Sequence, residues 1–194
     1  MSTIMEQARR GEVTDLMRAI AEKEGVSPEF VRNGIASGRI CAPHNPVHDA
    51  GPAAIGEGLS VKINVNLGTS RDIVDLDSEL EKLRVGLRYG ADAVMDLSTG
   101  GNINEIRRSI IEHSPIPVGT VPLYEVLARC GTVDNLTEEL ILQVMQEQAE
   151  QGVDYMTIHA GLLRAQVPAA KKRLLRIVSR GGSLVFAWMC MTGN

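Results

Sequence analysis

The segment Ser179-Arg180-Gly181-Gly182 combines the residue types that bind an anion. It follows an apolar run and precedes a predicted helix capped by Ser183. Backbone N–H groups at a helix N-terminus and an arginine guanidinium both favour phosphate oxygens. The segment therefore predicts a phosphate contact at Arg180; the alternative is a left-handed turn with a surface arginine.

Polar side chains recur near the carboxyl ends of the apolar runs. The phrase MDLSTGGNINE at 95–105 places two hydroxyls and two glycines between a strand and a helix. We expect Gly100 and Gly101 to keep this loop open and Asn102 to cap the next helix. The other polar positions of this kind are Asn66, Asp96 with Ser98, Thr120 with Tyr124, His159, and Ser179 with Arg180. In a parallel barrel such strand ends share one face, where chemistry is normally placed.

Cysteine and histidine spacing gives little support for a metal site. Cys41, His44 and His48 form C-x-x-H-x-x-x-H, which supplies three ligands where structural zinc takes four. The remaining cysteines, Cys130 and Cys190, form no C-x-x-C pair. We expect all three cysteines to be reduced, buried small side chains.

The elements that position these residues alternate from Val61 onward between apolar runs and helical patterns. The runs lie near 61–67, 93–98, 117–122, 153–160 and 175–179. Strand starts recur about every 30 residues, which is the period of a βα unit. A doubly wound sheet and a barrel both fit, but no G-x-G-x-x-G follows the first strand, and this favours the barrel. The predicted fold class is α/β, a parallel (β/α) barrel with strands adjacent in chain order.

This predicted barrel is incomplete. A closed barrel needs about eight strands and roughly 250 residues, whereas five runs are found here. The predicted domains are an N-terminal helical region and connector, residues 1–58, and the first part of the barrel, residues 59–194. In the former, Thr14 and Ser27-Pro28 predict two helix starts, and Gly25 and either Gly34 or Gly38 predict the ends.

Composition excludes several classes of protein. The net charge of −4 and an aromatic content of 3% argue against nucleic-acid binding. No run approaches the roughly 18 apolar residues of a membrane helix. The N-terminal segment MSTIMEQARRGEVTD lacks a secretory h-region, so the cytoplasm is the expected location.

Long phrases of the chain resemble the phosphomethylpyrimidine synthase (ThiC) family. They are VKINVNLGTS, ADAVMDLSTGGNINEIRR, SPIPVGTVPLYE, EQAEQGVDYMTIHAG and IVSRGGS, with MEQARRGEVTDLM and KEGVSPEFVRNGIASG near the N-terminus. The resemblance implies a radical SAM enzyme of thiamin biosynthesis that rearranges 5-aminoimidazole ribotide to hydroxymethylpyrimidine phosphate. The cofactors implied are S-adenosylmethionine, a [4Fe-4S] cluster and a divalent metal (zinc). The related 5-hydroxybenzimidazole synthase shares these phrases and is the alternative.

The resemblance also implies which residues contact the substrate. At matching positions these are Asn66, Met95, Tyr124, His159, Ser179, Arg180 and Gly181. By residue type alone each has a plainer explanation. Asn66 could cap a strand end, Met95 could fill the core, Tyr124 could be a half-buried aromatic and His159 a core histidine.

Several features of the family have no counterpart in the 194 residues. The Asp-Gly-Leu-Arg substrate loop, two metal-binding histidines and a C-x-x-C-x-x-x-x-C cluster motif are missing, so no metal ligand and no catalytic residue are assigned. We therefore expect the chain alone to be inactive, and the family resemblance implies a homodimer. A half-barrel that needs a partner chain and a non-catalytic remnant remain the rival interpretations.

Overall fold

Three short helices form the N-terminal region. The computed structural model describes residues 2–193. Its first helices are α1 (Ile4–Arg9), α2 (Asp15–Glu24) and α3 (Pro28–Ala36). The hydroxyl oxygens of Thr14 and Ser27 cap α2 and α3 by accepting hydrogen bonds from the N–H groups of Met17 and Phe30, and Gly25 ends α2 in the left-handed conformation. Both predicted helices are confirmed, and α1 is an addition to them.

The N-terminal region has its own apolar core. It consists of side chains from the three helices and the following strand, among them Met17, Ile20, Val31, Ile35 and Ile40. Two short antiparallel strands, β1 (Ile40–Cys41) and β2 (Ile55–Gly56), close this region. A buried ion pair at 2.9 Å between Glu24 and Lys62 then ties it to the chain that enters the main sheet.

A four-stranded parallel sheet follows the connector. Its strands are β3 (Asn64–Leu67), β4 (Ala93–Asp96), β5 (Val118–Thr120) and β6 (Tyr155–Met156). They are hydrogen-bonded in the order β3-β4-β5-β6, so among the described residues β3 and β6 are the edges. The prediction of parallel strands adjacent in chain order is confirmed for the first four runs.

Helices separate and follow these strands, and α4 and α5 cover one face of the sheet. They are α4 (Leu76–Arg88), α5 (Ile103–His113), α6 (Pro122–Cys130), α7 (Glu138–Gln151), α8 (Val167–Lys172) and α9 (Arg180–Thr192). Single 3₁₀ turns occur at Val133–Asn135 and Arg164–Gln166. Leu83 of α4 and Ile110 of α5 pack against Val94 and Val118 of the sheet, and all four are almost completely buried. The alternation of strand and helix is that of βα units.

The prediction of a fifth strand at 175–179 is wrong. Residues 175–179 form a loop in the structure. Arg176 has φ of 50°, a left-handed conformation that interrupts an extended chain. Leu175 and Val178 of this run are 73% and 75% exposed, which does not fit a strand buried on both faces. The loop leads directly into α9.

The expectation of buried cysteines is also wrong. Cys41 and Cys190 are exposed and Cys130 is half-buried. Burial raises the pKa of the Cys130 thiol, which keeps it protonated. Cys130 packs against the apolar cluster around Val126 and Val144, whereas Cys41 and Cys190 face outward. Within residues 2–193, every helix is too short or too polar to cross a bilayer.

Candidate ligand site at the open face of the sheet

The parallel sheet has one face covered by helices and one open face. Successive side chains of a strand point to opposite faces. The pairings Asn66 to Met95, Met95 to Gly119 and Gly119 to Tyr155 place these four residues in one row across the open face. Asn64 lies two residues before Asn66 and shares this face. The residues between them belong to the apolar core under α4 and α5.

Five of the seven predicted substrate contacts converge at the N-terminus of α9. Ser179 Oγ lies 3.4 Å from His159 Nε2. The guanidinium carbon of Arg180 lies 5.4 Å from the centroid of the Tyr124 ring, a cation–π distance. Gly181 abuts the imidazole so closely that a Cβ there would come within 2.2 Å of His159. Any larger residue here would therefore move the His159 ring from this position.

The first turn of α9 leaves two backbone donors free. Ser179 caps the helix, because its Oγ accepts from the N–H of Gly182 at 3.1 Å and its carbonyl from the N–H of Ser183 at 2.9 Å. The N–H groups of Arg180 and Gly181 have no partner within residues 2–193. The predicted cap at Ser183 is thus wrong by four residues, since Ser179 has the side-chain oxygen that reaches the first turn. The segment 179–182 is the helix start itself, and residues 175–178 directly before it form a loop.

Electrostatics at this helix start favour an anion. Arg180 is exposed and forms no ion pair within the described part of the chain. A cation beside the positive end of a helix dipole is unfavourable on its own. A bound anion would relieve that repulsion and would accept from the two free N–H groups. The arrangement is therefore suited to a phosphate or carboxylate.

His159 carries a further group that lacks a partner. Its Nδ1 is buried and has no hydrogen-bond partner in the described structure. The ring borders an apolar cavity of about 190 Å³ that Leu123, Leu136 and Trp188 also line. A buried nitrogen without a partner is costly, so this atom can be satisfied by a molecule bound beside it.

Met95 and Asn66 lie on the sheet next to this cluster. Met95 is half-buried and packs with Tyr124 against the same apolar core, and its Sδ lies 3.8 Å from Thr157 Oγ1. Asn66 is exposed and adjoins Met95 in register. The structure thus places Met95 beside the α9 site, and it places Asn66 one strand further away.

Three other polar strand-end residues do not face the site. Asp96 and Thr120 are one residue out of phase with Met95 and Gly119, so they lie on the covered face. Ser98 donates through its N–H to Asp96 Oδ1 at 2.9 Å, and Thr120 Oγ1 donates to Gln148 Oε1 at 2.6 Å. Burial raises the pKa of Asp96. These three residues lie at the carboxyl end of the parallel strands but point away from the open face, and the two-residue alternation of the strands is the signal that separates them from Asn66 and Met95.

The loop after β4 is closed, which corrects the expectation of an open loop. Thr69, in the preceding loop, donates through Oγ1 to the Gly100 carbonyl at 2.7 Å and through its N–H to Ser98 Oγ at 3.1 Å. A Cβ on Gly100 would lie 2.2 Å from the Ser70 carbonyl oxygen. These hydrogen bonds, and the close approach at Gly100, therefore hold the loop after β3 against the loop after β4. Asn102 accepts from the N–H of Glu105 and caps α5 as predicted.

The described residues do not fit a metal or an iron–sulfur cluster. Within residues 2–193 no three His, Cys, Asp or Glu side chains are placed to hold a metal ion. In the C-x-x-H-x-x-x-H motif, both ring nitrogens of buried His48 are occupied. Nδ1 lies 2.7 Å from Asp154 Oδ2 and Nε2 lies 2.8 Å from the Ser114 carbonyl oxygen. His48 therefore joins the connector to the sheet.

Comparison with known proteins identifies the family. Residues 3–194 match the model of the radical SAM ThiC family. The chain belongs to this family. The family recognised from the sequence phrases is thereby confirmed.

Curated relatives cover the chain from end to end. It is 49% identical over 195 residues to a phosphomethylpyrimidine synthase of Halobacterium salinarum, covering 100% of the chain and 41% of that protein. It is 50% identical over 199 residues to a phosphomethylpyrimidine synthase of Thermus thermophilus, and the match covers 99% of the chain and 46% of that protein. It is 46% identical over 194 residues to a phosphomethylpyrimidine synthase of Thermodesulfovibrio yellowstonii, and the match covers 97% of the chain and 46% of that protein. The chain spans less than half the length of these ThiC relatives.

Two residues of the open face were not among the predicted contacts. Tyr155 shares the row of Asn66 and Met95, and Asn64 shares their face of the sheet. Counting back two positions from Asn66 would have found Asn64. Tyr155 could be found only from the cross-strand register, which the sequence does not contain.

Proposed function

We propose that this chain binds 5-aminoimidazole ribotide as the substrate-binding part of a phosphomethylpyrimidine synthase. In this proposal the phosphate lies at the N-terminus of α9, and the rest of the ligand extends over the open face of the sheet. The enzyme's reaction would convert the ribotide to hydroxymethylpyrimidine phosphate. The names of the ThiC relatives favour this pyrimidine over the benzimidazole alternative.

One observation carries the proposal. Arg180 forms no ion pair, the N–H groups of Arg180 and Gly181 have no hydrogen-bond partner, and the buried Nδ1 of His159 has none either, all at one place within residues 2–193. A buried polar atom without a partner is rare in a folded protein, so His159 Nδ1 is the group that most needs a bound molecule. Arginine and helix N–H groups together select a phosphate by charge and geometry.

The proposal assigns binding and orientation to this chain. Membership of the ThiC family implies S-adenosylmethionine and an iron–sulfur cluster as cofactors. Because the described residues do not fit a cluster or zinc, no chemical step that uses either group is assigned to this chain. The chain's own contribution is to hold the ribotide by its phosphate and to position its ring over Met95 and Asn66.

We also propose that further β-strands complete a barrel around this site. The two described edge strands, β3 and β6, leave one side of their backbone unpaired. Beside β3, Val61 and Ile63 are 92% and 57% exposed, although apolar side chains of this size are usually covered. The further strands proposed here would belong to the same protein, to the partner of a homodimer, or to a separate chain, as in the half-barrel interpretation.

Titration of two ligands tests the proposed function. Binding of 5-aminoimidazole ribotide and of its dephosphorylated riboside to the 194-residue chain would be measured by calorimetry. Arg180→Ala removes a charge-assisted contact of about 1.5–3 kcal/mol, so ribotide affinity should fall roughly tenfold to a hundredfold. Riboside affinity should not change.

The matched control is Arg180→Lys. It keeps the charge but loses the two-pronged hydrogen bonding, so it should recover only part of the ribotide affinity. If both ligands weaken equally in Arg180→Ala, the role of Arg180 is structural. If the wild-type chain prefers the riboside or binds neither ligand, the proposed function of this chain is wrong.

A further inference from the structure

Tyr155 lies flat across the open face of the sheet. Its ring covers Gly119 on the neighbouring strand, where a Cβ would come within 2.2 Å of the ring carbons. The hydroxyl thereby reaches the strands beyond, 2.9 Å from the Val94 carbonyl oxygen and 2.8 Å from Asn64 Oδ1. A single side chain of β6 thus spans three strands.

The hydrogen bonds continue from Tyr155 along the row. The Tyr155 hydroxyl lies 2.8 Å from Asn64 Oδ1, and Asn64 Nδ2 lies 2.8 Å from Asn66 Oδ1. The Asn66 oxygen is then occupied. Its Nδ2 group has no hydrogen bond within residues 2–193, and the side chain is exposed on the open face.

Tyr155 takes part in these contacts as a protonated hydroxyl. Burial, and then the charge of nearby Asp154, raise the pKa of Tyr155 to about 12. The hydroxyl therefore stays protonated at neutral pH and can donate. A phenolate could not donate to the Val94 carbonyl oxygen.

We infer that Tyr155, acting through Asn64, is a positioning residue that fixes the orientation of the Asn66 amide toward the ligand. This inference rests on the proposed function only in assuming that Asn66 contacts the ligand. The orientation of the amide is a property of the free chain.

Nuclear magnetic resonance of the labelled 194-residue chain tests the relay without a ligand. Tyr155→Phe removes the hydroxyl and keeps the ring over Gly119. The side-chain NH2 signals of both Asn64 and Asn66 should shift, while the backbone spectrum shows an intact fold. The matched control is Tyr89→Phe, since Tyr89 is 80% exposed and lies outside this row; it should move neither signal.

A second variant separates a relay from a general disturbance. In an Asn64→Ala background the link is already cut, so adding Tyr155→Phe should leave the Asn66 signal where it was. If Tyr155→Phe shifts Asn64 but not Asn66, or still shifts Asn66 in the Asn64→Ala background, the relay is overturned.

Ligand binding then measures what the relay contributes. Loss of one neutral hydrogen bond should reduce the affinity of Tyr155→Phe for 5-aminoimidazole ribotide about threefold to tenfold. In an Asn66→Ala background the same change should have no further effect, because the relay would have nothing to position. If the wild-type chain does not bind the ribotide, the proposed function fails while the resonance experiment still decides the relay.

Discussion

The two faces of the parallel sheet are built from the same four short strands and differ in how their polar groups are satisfied. On the covered face, Thr120 bonds to Gln148, which donates to Glu125, and Glu125 pairs with Arg107. On the open face, donors of Asn66 and of the first turn of α9 are left free. Alternate residues of one strand can therefore serve stability and binding separately.

Charge on the covered face is compensated where it is buried. Burial disfavours ionisation of Glu125, but hydrogen bonds from Gln148 and Arg129 and the charge of Arg107 outweigh it and lower the pKa of Glu125. Glu125 directly follows Tyr124 on α6, so this network also fixes the helix that carries one of the predicted contacts. The open face has no comparable set of paired charges among the described residues.

Removing the central cation of the covered face should have the largest effect. Arg107 is 1% exposed, and Arg107→Ala leaves buried Glu125 short of a partner. We expect unfolding free energy to fall by about 3–5 kcal/mol, measured by urea denaturation. The neighbouring exposed Arg108 gives the control, and Arg108→Ala should stay within about 0.5 kcal/mol of the parent. Similar losses in the two variants would contradict the contrast between faces.

Filling the one glycine beneath Tyr155 should disturb the open face. Alanine in a strand is ordinarily better than glycine by roughly 0.5–1 kcal/mol. At Gly119 its Cβ would strike the Tyr155 ring, so we expect a net loss of about 1–3 kcal/mol and altered NH2 signals of Asn64. Thermal denaturation and the resonance spectrum check both. A stabilised variant with unchanged signals would show that the ring does not lie on Gly119.

Asp96 on the covered face should make stability depend on pH. Because the pKa of Asp96 is raised in the folded chain, the folded chain keeps this proton at pH values above about 3.9, where the unfolded chain with the ordinary aspartate pKa has lost it. Wild-type stability contributed by this group therefore falls as pH rises from that value through the raised pKa. Asp96→Asn cannot titrate, so its stability relative to wild type should rise over the same range in urea denaturation. A constant difference would contradict this.

The smallest expected effect on stability belongs to the open face. Asn66 is exposed, so Asn66→Ala should change the unfolding free energy by no more than about 0.5 kcal/mol. The same variant should weaken 5-aminoimidazole ribotide binding. Denaturation and calorimetry of one preparation measure both, and a large loss of stability with unchanged binding would reverse the roles assigned to the faces.

Local signals in the sequence were enough for much of the fold. Thr14, Ser27, Asn102 and Thr137 mark helix starts because a short polar side chain there satisfies backbone N–H groups. The order of the strands followed from the βα repeat. The run at 175–179 was misjudged because an apolar composition does not reveal whether a neighbouring strand will cover it.

The site was predicted less completely, for reasons of register. Residue types identified the cluster around Arg180, but they did not separate Met95 from Asp96, which point to opposite faces. The closed loop at Gly100 depends on contact with Thr69, about thirty residues earlier in the chain. Cross-strand contacts of this kind, like that of Tyr155 with Asn64, follow from the folded sheet.

Mapping ligand contacts along the whole chain tests the central claim that binding belongs to the open face and the start of α9. 5-Aminoimidazole ribotide would be titrated into the isotope-labelled chain and backbone amide shifts followed. We expect the largest shifts at residues 64–66, 95, 155–159 and 179–182, and much smaller ones at 106–111 and 140–148 under the covered face. Shifts concentrated under the covered face, or an identical pattern with the dephosphorylated riboside, would contradict the account.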